Sequence, residues 1–206
     1  MRWSIFPVAF EIQTQKSLAL AISPLVGAAV GAMAAALYGL TGALGAVIFW
    51  TAVPLFLGES FPGGTLGRVI TLLTAVLEWR LLGVAVSIHD PLIICIAAQA
   101  VPRAAVIALA WISRPAAKPP AYTQALTSWG AFLAIAQGIV AAVLAGWFAG
   151  SLILIACYLV TRFSRLWAYK STGGINQDSL AYARLGVELC VLIVLSVPLP
   201  GAFPKL

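Results

Sequence analysis

The stretch 129-WGAFLAIAQGIVAAVLAGWFAGSLILIACYLV-160 contains no charged residue. As one helix it would run about 48 Å at ~1.5 Å per residue. That overshoots the ~30 Å hydrocarbon core of a bilayer by more than tilt absorbs. Two short spans turning near Gly146–Gly150 fit the stretch better. The same ruler, about 20 mostly apolar residues per span, predicts seven spans in the whole chain. They fall at 18–38, 41–57, 66–88, 91–112, 128–146, 148–163 and 180–198.

Composition leads to the same class. Of 206 residues, 62% are hydrophobic and 9% charged, with a mean hydropathy of +1.03, whereas soluble domains carry about 25% charged residues. So few charges cannot cover a water-facing surface, so the chain is expected to be an all-α polytopic membrane protein, one integral domain over 1–206. Glu11, Gln13, Gln15 and Lys16 interrupt any apolar core of a cleavable leader. The net charge of +6 does not point to nucleic acid, because the basic residues cluster at span ends. That clustering is what membrane orientation requires.

Orientation follows from lysine and arginine. With the N-terminus in the cytoplasm, Arg2 and Lys16, the loop at 113–127 with Arg114 and Lys118, and the loop at 162–179 with Arg162, Arg165 and Lys170 all fall inside. Tiny turns near 39–41, 88–91 and 146–149 face the other side without a basic residue. The weakest span is 66–88, which holds Arg68, Glu78 and Arg80 and could instead lie in the interface as an amphipathic helix. That choice would send the downstream basic loops to opposite sides, so seven spans are retained.

Cys95, Cys157 and Cys190 sit far apart in apolar runs without C-x-x-C spacing, and are expected to pack as small hydrophobes. His89, beside Asp90 and before Pro91, is expected at a helix end. In the first span, Gly27 and Gly31 give a G-x-x-x-G spacing suited to close helix contact. Four charged residues stand out well inside spans: Glu78, Arg80, Arg103 and Glu188. Such groups are costly in hydrocarbon and face a partner or a cavity. Glu188 must therefore be neutral, paired with Arg103 or Arg184, or bound to a ligand or cation. Asp178 lies at a helix start, where an acid stabilises by about 0.5–2 kcal/mol, and Ser179 is placed to cap that helix.

The segment 173-GGINQDSLAYARLGVE-188 resembles the G-G-x-T-G-D-x-L-G-A-x-x-E-x-x-E signature of the cobalamin synthase family, the adenosylcobinamide-GDP ribazoletransferases. Gly173, Gly174, Asp178, Leu180 and Glu188 match without a gap. Asn176 stands for the threonine, Gln177 and Ala181 for glycines, and Leu185 for the first glutamate. SPLVG at 23–27 resembles the family's F-P-x-V-G, and PRAAVIALAWISRP at 102–115 resembles its S/G-R-A-A-M region. The family's H-x-D-G-x-x-D motif has no counterpart here. The corresponding loop, 58-GESFPGGTLGR-68, holds Glu59 as its one acid.

The resemblance implies a bacterial inner-membrane transferase that joins adenosylcobinamide-GDP to α-ribazole, or its 5′-phosphate, and releases GMP. It implies Mg²⁺ held by Asp178, Glu188 and Glu59, with Asp178 and Glu188 as the catalytic acids. Substrate contacts would come from Arg103, Arg162, Gly173, Gly174 and Asn176. The partners implied are a nucleotide-linked corrinoid and the lipid bilayer, with a homo-oligomer left open. Two other expectations stand beside it. One is a non-catalytic corrinoid- or nucleotide-binding or scaffolding homologue, which the missing acids favour. The other is a small transporter with Glu78, Arg80, Arg103 and Glu188 along its path, although the chain shows no internal repeat. The CDP-alcohol phosphotransferase pattern needs closely spaced aspartates. The two here, Asp90 and Asp178, lie 88 positions apart (178 − 90).

Overall fold

A computed structural model describes residues 18–56, 62–117 and 126–199. Among the described residues six long helices follow in order: α1 Ser23–Phe56, α2 Gly64–Ile88, α3 Pro91–Ile112, α4 Ser128–Val143, α5 Trp147–Thr172 and α6 Gln177–Leu195. Among the described residues there is no strand, and the one isolated β-bridge joins Pro115 and Ile175. Four helices are long and apolar enough to cross a membrane: α1 over Ser23–Ala52, and α2, α3 and α5 in full. Helix α4 is apolar but shorter. Helix α6 has 19 residues and includes Asp178, Arg184 and Glu188. The protein is an all-α integral membrane protein, as its composition demands.

The first two predicted spans form one element, α1, broken at Gly42, whose φ of 73° and ψ of −169° are not helical. A left-handed φ of this kind suits glycine, which has no Cβ to clash. The break lies one residue past the expected turn at 39–41. Both arms return to one core, Val30 and Ala34 from the first and Ala46, Val47 and Trp50 from the second. Unbroken, the helix would separate Gly27 from Trp50 by about 34 Å. Yet Gly27 packs on Gln99, and Trp50 shares a cavity with Gln99. The chain therefore doubles back at Gly42.

Helix α3 is the centre of the bundle, buried almost continuously from Ile94 to Ala110. The first arm of α1 crosses it antiparallel through two glycines. A Cβ on Gly27 would come within 2.5 Å of the Gln99 carbonyl oxygen, and one on Gly31 would overlap the Cys95 carbonyl. The G-x-x-x-G spacing therefore serves backbone-to-backbone contact, as in membrane helix pairs generally. Gly138 of α4 meets Ala104 of α3 in the same manner.

Helix ends follow local chemistry. Residues 88–91 turn between α2 and α3. There the His89 N–H closes the end of α2 on Ala85 O, and Asp90 caps α3 by accepting from Leu92 N at 2.7 Å. His89 is buried, and that burial holds its imidazole pKa below the usual histidine value. The uncharged stretch at 129–160 splits as expected, turning at Leu144–Gly146 with Gly146 at φ 106°. Helix α5 then continues to Thr172, beyond the expected end at 163, because arginines and lysine are good helix formers once the chain leaves hydrocarbon. The three cysteines are free thiols, two of them buried.

Candidate functional site

Two polar regions stand out in this apolar bundle, one in its interior and one at the end where α3 and α5 finish. The interior region gathers side chains from four helices. Gln99 Nε2 donates to Glu188 Oε1 at 2.6 Å, and Arg103 Nη1 donates to both Gln99 O at 2.8 Å and Gln99 Oε1 at 2.9 Å. Trp50 Nε1 donates to Glu78 Oε2 at 3.1 Å. Glu78, Gln99, Arg103 and Glu188 are at most 6% exposed. Thr74 and Arg184 join them around one small cavity.

The arrangement follows from helical spacing. Gln99 and Arg103 are four apart on α3, and Arg184 and Glu188 four apart on α6, so each pair shares a face. Thr74 and Glu78 repeat the spacing on α2. Pro102 has no N–H to give the Ala98 carbonyl, and Ala98, Gln99 and Pro102 all line the cavity. Two acids and two guanidiniums thus share one interior region, and partnering of this kind is how hydrocarbon tolerates ionisable groups. Glu78 Oε1 has no hydrogen-bond partner among the described residues.

The second region is built mainly from backbone. Ile175 N donates to Arg114 O and Ala116 N donates to Ile175 O, both at 2.9 Å. These bonds zip the 113–117 turn to the 173–176 loop. Gly174 makes the contact possible, because a Cβ there would lie 2.7 Å from the Pro115 carbonyl. The Tyr169 hydroxyl accepts from Arg114 N at 2.6 Å. Gly63 N donates to Asp178 Oδ1 at 3.0 Å, bringing the start of α2 to the same end.

The site residues named from the sequence divide between these regions. Glu188 and Arg103 lie inside, joined through Gln99, so Arg103 serves the buried carboxylate rather than the water-facing end. Arg184, the other partner considered for Glu188, lines the same cavity. Asp178 is exposed at the loop end and holds a backbone amide. Gly173 is the left-handed C-cap of α5, at φ 71°, and Gly174 faces Pro115, so this glycine's missing side chain makes room for protein backbone. Asn176, not Ser179, caps α6; Ser179 completes a capping box from the third helical position. Arg162 is exposed on α5. Arg80 is exposed too, its guanidinium 5.1 Å from the Trp79 ring centre, away from the interior network. Glu59 lies outside the described residues.

Asp178 and Glu188 are ten positions apart on one helix, about 15 Å along its axis. They cannot share a cation whose ligand distances are ~2.1 Å. Among the described residues no three His, Cys, Asp or Glu side chains converge as metal ligands. The pairing of these two acids around Mg²⁺ therefore does not fit the geometry.

Gln99, Trp50 and Thr74 were absent from the sequence-based site. A signal existed for Gln99, since an amide in the middle of an otherwise apolar span demands a buried partner. Nothing local marks Trp50, whose indole finds Glu78 only because α1 folds back. Comparison with known proteins returns no matching family model, no matching curated protein and no matching solved structure.

Proposed function

We propose that this chain is a divergent cobalamin synthase-like membrane protein of a bacterial inner membrane, with seven spans and a cytoplasmic N-terminus. Its reaction on this reading joins adenosylcobinamide-GDP to α-ribazole. The α-ribazole hydroxyl attacks the corrinoid-side phosphorus, the pyrophosphate P–O bond breaks, and GMP leaves. One observation carries the reading: the three segments with the resemblance, far apart in the chain, meet in space. Gly27 of SPLVG packs on Gln99 and Arg103. Arg103 and Pro115, from the second segment, meet the third through Gln99–Glu188 and through Ile175.

The substrate end is the loop end, where Arg114, Asp178 and the backbone of 173–176 come together. Phosphoryl transfer relies mainly on positioning and charge neutralisation. Asp178 would there act with Arg114 and the backbone of 173–176, and any Mg²⁺ would be held there without Glu188. Glu188 becomes a positioning residue, fixing α6 against α3.

The experiment is GMP release by purified protein given adenosylcobinamide-GDP, α-ribazole and Mg²⁺, alongside complementation of a strain lacking cobalamin synthase. Release and rescue are expected, and Asp178→Asn should abolish both. A second reading, a non-catalytic corrinoid- or nucleotide-binding homologue, is favoured by the separation of Asp178 from Glu188. It predicts saturable binding of adenosylcobinamide-GDP with no GMP release. Neither release nor binding would dismiss both readings.

A further inference from the structure

A cleft of about 390 Å³ lies between α3, α4 and α5. Its floor is Ala104, Ala105 and Ala108 of α3; its walls include Ile139 of α4 and Leu154 and Tyr158 of α5. Helices α4 and α5 touch at their turn, where Gly150 meets Ala142. Further along, the small α3 residues show between them. The lining is apolar apart from Tyr158 and Thr161, and the Thr161 hydroxyl is spent on its own helix, donating to Cys157 O at 2.8 Å. Such a cleft at bilayer depth attracts a hydrocarbon chain, with nothing to hold water.

Charge decides which lipid. On α5 the cleft stripe runs through Leu154, Cys157, Tyr158 and Thr161. The same three- and four-residue spacing continues to Arg162, four past Tyr158, and Arg165, four past Thr161. Arg162 is exposed, and the Arg165 guanidinium stands 5.5 Å from the Tyr169 ring centre. Arg114 follows Ile112, the last cleft residue of α3, by two positions. Helices α4 and α5 and the 113–117 turn contain no acid, and Asp178 at this end accepts from Gly63 N of the α2 start. A positive-inside bias accounts for basic loops, but not for arginines that continue the stripe of an apolar cleft.

We propose that the cleft seats one acyl chain of an anionic phospholipid, whose phosphate lies against Arg162 and Arg165. The lipid comes from the surrounding bilayer, and juxtamembrane basic groups attract such headgroups. The inference rests on the membrane fold alone and is independent of the corrinoid reading.

The test is native mass spectrometry of the full-length protein, stripped of lipid in detergent and titrated with phosphatidylglycerol or phosphatidylcholine. One phosphatidylglycerol should be retained at least tenfold more strongly than phosphatidylcholine. Arg162→Ala with Arg165→Ala should remove that preference. Ala108→Phe, which fills the floor, should lower phosphatidylglycerol retention at least tenfold. Ile139→Trp provides a second filled cleft should Ala108→Phe lose helicity or monodispersity. Equal retention of the two lipids by the unmutated protein would overturn the proposal. So would phosphatidylglycerol retention unchanged in a folded filled-cleft variant, or competition by glycerol phosphate as effective as that by the lipid.

Discussion

Glu188 and Asp178 belong to one helix and to two different environments. Glu188, buried among helices, accepts from an amide side chain that an arginine holds in place. Asp178, in water at the helix start, accepts from one backbone N–H. The first contact is between side chains shielded from water. The second competes with solvent at every moment. Similar chemistry therefore carries unequal weight, and the interior network, more than the loop end, should set the stability of the bundle.

The sharpest way to break this contrast is Glu188→Ala, which strands Gln99 and the buried arginine chemistry around it. A loss of about 3 kcal/mol is expected, the upper end of the cost of leaving a buried polar group unsatisfied. Denaturant unfolding in detergent micelles would read it, and Glu188→Gln should lose less because its amide oxygen can still accept from Gln99. Packing at the α1–α3 crossing comes next. Gly31→Ala should cost about 1–3 kcal/mol, as overpacking does, since the new methyl meets the Cys95 carbonyl. The same assay should rank Gly174→Ala close behind, because its methyl meets the Pro115 backbone. At the loop end Asp178→Ala should cost about 1 kcal/mol or less, and Asp178→Asn should be nearly silent in stability while abolishing GMP release. A cost for Asp178→Ala equal to that for Glu188→Ala would erase the contrast between the two regions.

The smallest effect is one of pH. His89 is buried and its Nε2 has no hydrogen-bond partner among the described residues, so the folded state favours the neutral ring. With the folded pKa below the ordinary 6.5, the unfolded chain binds the proton first as pH falls. Stability from this residue is full above pH 6.5, declines below it, and levels off once pH passes the lower folded pKa. Melting curves from pH 8 to 5 should show the decline, and His89→Gln should flatten it.

Much of the architecture was legible because membrane helices answer to local rules. Helix α3, Pro91–Ile112, covers the stretch read as a span from about 91 to 112, and its start is marked by a cap followed by a first-turn proline. The turn at Gly146 was readable because an uncharged stretch of that length cannot cross a bilayer once. The start of α6 was misjudged: Asn176 and Ser179 can each cap, and only the backbone conformation of Asn176 distinguishes them. The candidate site was legible in part. Glu78, Arg103 and Glu188 stood out as charges inside spans, but their assembly depends on which faces meet, and that is not a local property.

The sequence by itself determined that this is a helical membrane protein, where its chain turns, and which charges hydrocarbon would force into company, because each of these follows from length, polarity and glycine geometry along one segment. Only the tertiary structure decided that the second arm of α1 brings Trp50 to Glu78, that Gln99 links Arg103 to Glu188, and that Asp178 and Glu188 serve separate regions. The reason is that a helix has many faces, and its sequence says which are apolar without saying which neighbour each will touch.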